Sequence, residues 1–169
     1  MFGAILATMM VPNTVTLVPS YLLLSRLKWL DTYAALIVPW GATAFSIFLF
    51  RQFFLSIPKD LEDAARIDGC TQLQLLGRIV IPLSKPVLLT VTIYGWLGSW
   101  NDYIWPLIMT DSRTMRTLQV GLAVFAQDAG TRYTLQMAAA TFTIVPILIA
   151  FFFVQRHFIE GVARTGLTE

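Results

Sequence analysis

Apolar residues are gathered into four long runs along the chain, and shorter polar segments separate them. The runs cover residues 2–24, 33–54, 83–109 and 135–155. Each run is long enough to cross the hydrocarbon core of a bilayer, which takes about 20 apolar residues in a helix. The pattern predicts an all-α membrane protein in which four transmembrane helices form one membrane-spanning domain over residues 1–169. Three prolines inside the first two runs are expected to kink the helices without ending them: Pro12, Pro19 and Pro39.

Composition agrees with a protein whose solvent is the bilayer. Hydrophobic residues make up 56% of the chain and charged residues 13%, and the mean hydropathy is +0.67. The apolar runs recur to the C-terminus, whereas a secretory signal is one short apolar region before a soluble body. The net charge of +2, without a basic cluster, excludes nucleic acid as a partner. A single cysteine, Cys70, excludes an intrachain disulfide and a multi-cysteine metal site.

Four spans would place both termini on one side of the membrane, together with residues 51–85 and 156–169. These two segments carry seven lysines and arginines, against five in residues 26–28 and 113–132 on the other side. Cytoplasmic loops carry an excess of Lys and Arg. The charge distribution therefore favours cytoplasmic termini.

A polar segment between the second and third runs, residues 57–82, predicts two short helices joined by a sharp turn; we call it the elbow. Pro58 suits the first turn of a helix. Gly69 lies where a helix ends in left-handed backbone, and Thr71 with Gln74 forms the T-x-x-Q pattern that caps a new helix. The elbow would project from the membrane on the cytoplasmic side.

Each predicted helix of the elbow has an apolar face. Leu61, Ala64 and Ala65 follow the helical spacing of the first, and the face they form is nearly flat because alanine is small. The second groups four aliphatic residues on one side: Leu73, Leu76, Ile79 and Val80. Two interpretations stay open from the pattern alone. The segment is a solvated loop resting on the ends of the spans, or it is a docking surface for a soluble partner.

The spacing within the elbow resembles the EAA loop of binding-protein-dependent ABC importer permeases. That loop has Glu-Ala-Ala, three residues, Gly, nine residues, Ile, one residue and Leu-Pro. This chain keeps every interval, with Asp63-Ala64-Ala65, Gly69, Ile79 and Ile81-Pro82. Asp63 replaces the usual Glu but retains the acid, and Ile81 replaces Leu.

Four further segments are similar to the carbohydrate-uptake branch of that family, which includes maltose-type and glycerol-3-phosphate-type permeases. They are FLFRQFFLSIPKDLEDAARIDG, YGWLGSWNDYIWPLIM, TLQVGLAVF and VQRHFIEGV. The resemblance runs over essentially the whole chain and implies the ABC type-1 importer permease fold. Members of the family generally have two further spans before the point where this chain begins, so the resemblance also implies an N-terminal truncation.

The resemblance implies a transport role within an assembly in a prokaryotic cell membrane. The partners would be two ATP-binding cassette subunits, a second permease subunit and an extracytoplasmic solute-binding protein that delivers a sugar or sugar-like solute. The elbow would couple closure of the ATPase subunits to alternating access. The implied docking residues are Leu61, Asp63, Ala64, Ala65, Asp68, Gly69, Leu73, Ile79 and Pro82.

The chain is not expected to be an enzyme or to hold a cofactor. It contains no G-x-x-x-x-G-K-[ST] phosphate-binding motif, so ATP would be bound by a partner subunit. One histidine, His157, and one cysteine cannot supply a catalytic pair or a metal cluster. An ion-coupled secondary transporter is the alternative, although such proteins often carry internal repeats and paired acids near the midplane, and we find no repeat.

Polar and aromatic residues near the end of the third run form a candidate translocation pathway. Asparagine and aspartate within an apolar span usually face the bundle interior or water, and flanking aromatic faces suit stacking against a sugar ring. The alternative is a helix end at the lipid headgroups, where Trp and Tyr serve as anchors. The candidate residues are Trp100, Asn101, Asp102, Tyr103 and Trp105.

Overall fold

The computed structural model describes residues 2–128 and 133–165, and every regular element in these residues is helical. Side chains are described up to residue 125 and from 133 to 152, so the His157 side chain lies outside the described residues. The α-helices are α1 (Phe2–Thr8), α2 (Asn13–Arg26), α3 (Tyr33–Ile37), α4 (Ala44–Leu55), α5 (Lys59–Ile67), α6 (Gln72–Leu75), α7 (Ile81–Leu83), α8 (Lys85–Asn101), α9 (Ile104–Met109), α10 (Leu118–Asp128) and α11 (Tyr133–Thr165). The all-α prediction is confirmed for these residues.

Two helical stretches are each long and apolar enough to cross a membrane. They are Tyr33–Leu55, with mean hydropathy 1.7, and Tyr133–Phe152, with mean hydropathy 2.0. Both coincide with runs predicted from the sequence. Two further pairs pass the same test only when each is joined across a short break: α1 with α2, and Gln72–Leu83 with α8. By length and composition, the described residues thus contain two candidate spans, or up to four if each pair is one span, and the count of four stays a prediction.

The first run is not one continuous helix. Helix α1 ends at Thr8, and α2 begins at Asn13 after a turn that contains Pro12. Proline lacks an N–H, and it also disfavours helical backbone at the preceding residue, so a helix tends to end just before it. Our expectation that Pro12 would only kink the helix is therefore wrong, whereas Pro19 lies inside α2 without ending it. The expectation is also wrong for Pro39, because α3 ends at Ile37, Pro39 lies in a 3-10 turn over Val38–Trp40, and α4 begins only at Ala44.

The third run is also divided. Helix α8 ends at Asn101, two residues follow outside any helix, and α9 begins at Ile104. Pro106 explains the break, because a proline cannot bond the carbonyl four residues earlier and its ring clashes with it; here that carbonyl belongs to Asp102. The Asp102 carboxylate accepts a hydrogen bond from the Trp105 N–H at 3.4 Å and so caps the new helix. Residues 83–109 therefore do not form the single helix that we predicted.

Contacts between Cα atoms divide the chain into two compact units. Unit 1 comprises Met1–Pro12 and Gly41–Gly95, and unit 2 comprises Asn13–Trp40 and Trp96–Glu169. The single domain predicted over residues 1–169 stays a prediction.

Unit 1 contains aromatic contacts between α1 and α4 and between α4 and α8. The rings of Phe2 and Phe48 are stacked with centroids 6.5 Å apart, and the Arg51 guanidinium lies 4.1 Å from the Phe2 centroid. Phe45 and Tyr94 approach to 4.5 Å. Such contacts between a cation and a ring, or between two rings, contribute on the order of 1 kcal/mol each.

Unit 2 contains a small core in which α2, α3 and α9 meet. Leu24, Ala35 and Met109 are buried there, and three partly buried residues pack against them: Trp29, Leu30 and Trp105. Elsewhere the apolar surface is mostly exposed, since only 6% of the residues in each candidate span window are buried inside the protein. Lipid or other subunits must cover this surface.

Candidate functional site

The turn of the elbow is fixed by a backbone hydrogen-bond motif. Helix α5 ends at Ile67, and Gly69 follows with φ +76°. The Cys70 N–H donates to the Ala65 carbonyl at 2.9 Å, and the Gly69 N–H donates to the Arg66 carbonyl at 3.0 Å. This pair of bonds is a Schellman motif, which closes the helix end and needs left-handed backbone at the glycine. The predicted role of Gly69 as the helix stop is confirmed.

The second helix of the elbow starts at the predicted cap. The Gln74 N–H donates to the Thr71 hydroxyl at 3.4 Å, and the Thr71 N–H donates to the Gln74 side-chain oxygen at 2.9 Å. These reciprocal bonds form a capping box, as the sequence predicts. Four residues, 68–71, thus join the two helices, and the unpaired backbone N–H and carbonyl groups at the helix ends are partly satisfied within this turn. The elbow therefore has a defined local geometry.

Beyond α6 the helix widens in a way that the sequence pattern did not predict. Residues Leu76–Val80 form a π-helical turn that precedes Ile81–Leu83. Pro82 cannot bond the carbonyl four residues earlier, and its ring would clash with that carbonyl in a regular α-helix, so a wider turn relieves the conflict. The chain then bends by 73° into α8 at buried Ser84, whose hydroxyl donates to the Val80 carbonyl at 2.6 Å.

The predicted docking residues differ in how far their side chains are exposed, and the helical pattern alone does not give these differences. Ala65 is only 3% exposed, whereas Leu61 and Ala64, which follow the same helical spacing, are exposed. Leu61 is 42% exposed, Leu73 is 82% exposed, and Ile67 is 86% exposed. Of the remaining predicted residues, Ile79 is partly buried and the others are exposed: Asp63, Ala64, Asp68, Gly69 and Pro82.

Sequence reasoning missed Ile67 as a surface residue of the elbow. Its position at the end of α5, just before Asp68 and Gly69, was the available signal, because the last residue before a sharp turn has few neighbours on its own helix. The large apolar side chains that are exposed on the elbow are thus Leu61, Ile67, Leu73, Leu76 and Ile81, and Ile67 and Leu73 are the most exposed of them. Docking of this surface to another subunit stays a prediction.

The five candidate pathway residues surround the break between α8 and α9, but their side chains make separate contacts. The Trp100 indole N–H donates to the Thr143 carbonyl of α11 at 3.3 Å. The Trp105 indole N–H donates to the Ala35 carbonyl at 3.0 Å, and its ring lies edge-on to Trp40 at 5.3 Å. Trp105 thereby stabilises the core of unit 2.

The other three candidates lie at or beside the break. The Asn101 side-chain N–H donates to the Leu97 carbonyl of its own helix at 2.9 Å. Asp102 caps α9, and Tyr103 is 37% exposed. The helix end predicted as the alternative is present at Asn101. A pathway role for these residues stays a prediction.

A further polar contact in unit 2 was not predicted. The Asp31 carboxylate accepts hydrogen bonds of 3.0 Å from the backbone N–H groups of Asp111 and Ser112 and from the Ser112 hydroxyl. The Asp111 N–H, followed by the two Ser112 donors, holds the pKa of the Asp31 carboxyl below its ordinary value. No sequence signal links residues 80 positions apart, so this contact could not have been found from the pattern.

Comparison with known proteins assigns the chain to a family. Residues 1–164 match the family described as "Binding-protein-dependent transport system inner membrane component". The arabinooligosaccharides transport system permease protein AraQ of Halalkalibacterium halodurans is 40% identical over 98% of this chain and 60% of that protein. The sn-glycerol-3-phosphate transport system permease protein UgpE of Brucella abortus is 36% identical over 97% of this chain and 59% of that protein.

A solved structure has the same fold. The chain superposes with a TM-score of 0.81 and 29% identity on a chain from the crystal structure of a bacterial ABC transporter involved in the import of the acidic polysaccharide alginate. The match covers 93% of this chain and 60% of that one. The chain spans about three-fifths of the length of the curated relatives it matches. These findings confirm the resemblance indicated by the elbow spacing, and the chain belongs to the family of binding-protein-dependent transport system inner membrane components.

Proposed function

We propose that this chain is a permease subunit of an ATP-driven importer for a sugar or sugar-like solute, which a soluble binding protein delivers. The observation that carries the proposal is the elbow, because its Schellman turn and capping box hold exposed aliphatic side chains on a short polar helix pair. Membership of the family supports the transport role. The named solutes of the relatives, arabinooligosaccharides and sn-glycerol-3-phosphate, support the solute class.

The elbow would act as a rigid lever on the cytoplasmic side. Leu61, Ile67 and Leu73 would enter an apolar cleft of an ATP-binding cassette subunit, since their exposed side chains gain by leaving water. The exposed acids Asp63 and Asp68 would fix the orientation of the helix pair by pairing with cations of the partner. Closure of the ATPase subunits would then move the elbow and, through the bend at Ser84, helix α8.

The remaining partners follow from the same arrangement. ATP would be bound and hydrolysed by the cassette subunits, and this chain would hold neither cofactor nor catalytic residue. With four spans, both termini and the elbow would face the cytoplasm, and the loops around Asp31 and Ser112 would face the solute-binding protein. A second permease subunit would cover part of the exposed apolar surface and complete the translocation pathway.

Reconstitution of the complete transporter into vesicles tests this function. We expect solute uptake to require ATP, the cassette subunits and loaded binding protein, and the isolated chain to hydrolyse no ATP. Vesicles that carry a proton or sodium gradient without ATP are the matched control. Uptake that follows the ion gradient and persists without cassette subunits would contradict the proposal and favour an ion-coupled secondary transporter.

A further inference from the structure

A groove of about 820 Å³ lies between α10 and α11 in unit 2. This volume is within the range of small-molecule sites, which is roughly 300–1,000 Å³. The walls of the groove are apolar over most of its length. The residues that form them include Leu118, Leu122 and Phe125 from α10 and Ala138, Ala139 and Phe142 from α11.

The segment that leads into α10 adds charge to this groove. Arg113 and Arg116 both line it, and both are exposed. Within residues 2–125 and 133–152, whose side chains are described, the one ion pair joins Arg66 to Glu62 in the elbow. No described carboxylate therefore forms an ion pair with either of the two guanidinium groups. Because arginine presents a rigid fork of donors that matches phosphate oxygens, the pair favours a phosphate-containing ligand.

A buried hydroxyl belongs to the same groove. Thr117 lines it, and the Thr117 side-chain oxygen is buried with no hydrogen-bond partner among the described residues. Most buried polar side-chain atoms in proteins have a partner. Of the buried side-chain nitrogen and oxygen atoms in the described part of the chain, this one alone lacks a partner. A ligand with an acceptor oxygen at the arginine end would satisfy it.

Two arginines, a buried hydroxyl and apolar walls together favour a ligand that has an anionic group and a long apolar part. A neutral sugar would need polar partners along the walls, where this groove has aliphatic and phenyl side chains. The family to which the chain belongs resides in the inner membrane, where a phospholipid presents a phosphate group, which arginine binds well, together with apolar acyl chains. We infer that the groove binds an anionic phospholipid, whose phosphate lies against Arg113 and Arg116 and accepts from the Thr117 hydroxyl, with an acyl chain between α10 and α11. This inference does not depend on the proposed transport function.

Lipid titration of the purified full chain tests the inference. In detergent, native mass spectrometry would compare dioleoyl-phosphatidylglycerol with dioleoyl-phosphatidylcholine, and inorganic phosphate would be the headgroup probe without chains. Since each basic residue contributes about 1 kcal/mol to binding of anionic lipid, the two arginines together should give roughly a thirtyfold preference for phosphatidylglycerol. Inorganic phosphate alone should bind much more weakly than the lipid, because it makes no contact with the apolar walls.

Three variants separate the parts of the site. Arg113→Gln with Arg116→Gln should abolish the preference for phosphatidylglycerol. Thr117→Val should weaken phosphatidylglycerol binding by a smaller factor, and Ala138→Phe should weaken both lipids by filling the groove. The matched control is Arg26→Gln with Lys28→Gln, which removes two charges from the same unit outside the groove and should leave the preference intact.

Several results would overturn the inference. One is equal binding of the two lipids, and another is a preference that survives in the double arginine variant. Phosphate that binds as tightly as the lipid would identify a free-anion site instead. Displacement of the lipid by the second permease subunit in the assembled transporter would identify the groove as a subunit interface. Thermal unfolding shows whether each variant is folded. If the double arginine variant does not fold, Ala138→Phe still tests whether the lipid binds in the groove.

Discussion

The carboxylate of Asp31 accepts two hydrogen bonds from Ser112, one from the backbone N–H and one from the hydroxyl, and each is 3.0 Å long. The Asp31 N–H in turn donates to the Met109 carbonyl at 2.8 Å. These bonds join the loop after α2 to the loop after α9. They lie beside the core of Leu24, Ala35 and Met109, so they hold together the two chain segments from which that core is built.

Replacement of Asp31 tests this connection. Asp31→Ala should lower the melting temperature of the detergent-solubilised chain, because it removes the acceptor of three hydrogen bonds and because alanine adopts left-handed backbone, here φ +58°, less readily than aspartate. Asp31→Asn should have a smaller effect, since it keeps an acceptor oxygen and tolerates left-handed backbone. Thermal unfolding followed by circular dichroism measures both. The control is Asp60→Asn in the elbow, and equal melting temperatures for Asp31→Ala and wild type would refute the role.

The same contact makes stability depend on pH. The folded-state pKa of Asp31 is lowered from its ordinary value of 3.8, so the carboxylate stabilises the fold fully above that value. This stabilisation is lost as the pH falls through 3.8 towards the lower folded-state pKa. Melting temperatures between pH 7 and pH 2 should therefore fall more steeply for the wild type than for Asp31→Asn. Parallel curves for the two proteins would show that Asp31 does not contribute.

Gly69 provides a test of the elbow turn. A β-carbon added at Gly69 would meet no described atom within 4 Å, so the cost of substitution is that of the backbone at φ +76°. For Val this is on the order of 1–2 kcal/mol, which should misplace α6 without preventing membrane insertion. In the complete transporter, Gly69→Val should leave permease abundance near normal and reduce cassette-subunit association and substrate-stimulated ATP hydrolysis.

Two variants serve as controls for that experiment. Gly69→Asn should be milder, since asparagine adopts left-handed backbone more readily. Gly77→Ala lies in the same elbow, and its added β-carbon also meets no described atom within 4 Å. Normal cassette-subunit association and normal substrate-stimulated ATP hydrolysis in Gly69→Val would show that the elbow is a solvated loop and not a docking surface.

Substitutions at two neighbouring alanines of α5 distinguish an effect on folding from an effect on docking. Ala65 is 3% exposed, so Ala65→Glu would bury a carboxylate and should destabilise the elbow by several kcal/mol. Ala64 is exposed, so Ala64→Glu should leave the unfolding temperature nearly unchanged while weakening co-purification with the cassette subunit. Pull-down yields and melting temperatures of both variants give the comparison. Intact co-purification of Ala64→Glu would exclude this face as the docking surface.

Substitutions of the aromatic residues at the break after α8 distinguish a structural role from a role in the pathway. Trp105→Ala should destabilise unit 2 by about 3 kcal/mol, since it empties space beside the core and removes the bond to the Ala35 carbonyl. Tyr103 is 37% exposed, and Tyr103→Ala should change the melting temperature little. If Tyr103 lines the pathway, that variant should slow solute uptake by the complete transporter at normal abundance. Unchanged uptake would remove Tyr103 from the candidates.

The sequence by itself determined the features that arise within about six consecutive residues. The turn at Gly69 and the cap at Thr71 follow from backbone and side-chain bonds between near neighbours, so their residue types predict them. The apolar runs predict membrane helices because the length and the composition of a continuous segment are enough for that prediction. The break before α9 belongs here as well, since the clash between Pro106 and the carbonyl of Asp102 is local, although the pattern alone did not lead us to it.

Only the tertiary structure decided which side chains meet across the chain. The bond between Asp31 and Ser112 joins residues 81 positions apart, and that between Trp105 and Ala35 joins residues 70 apart. The burial of Ala65 also depends on packing, because a helical pattern gives the face of a residue but not what covers it. These contacts form only when whole helices pack, and their free energy depends on distances and burial that no local pattern contains.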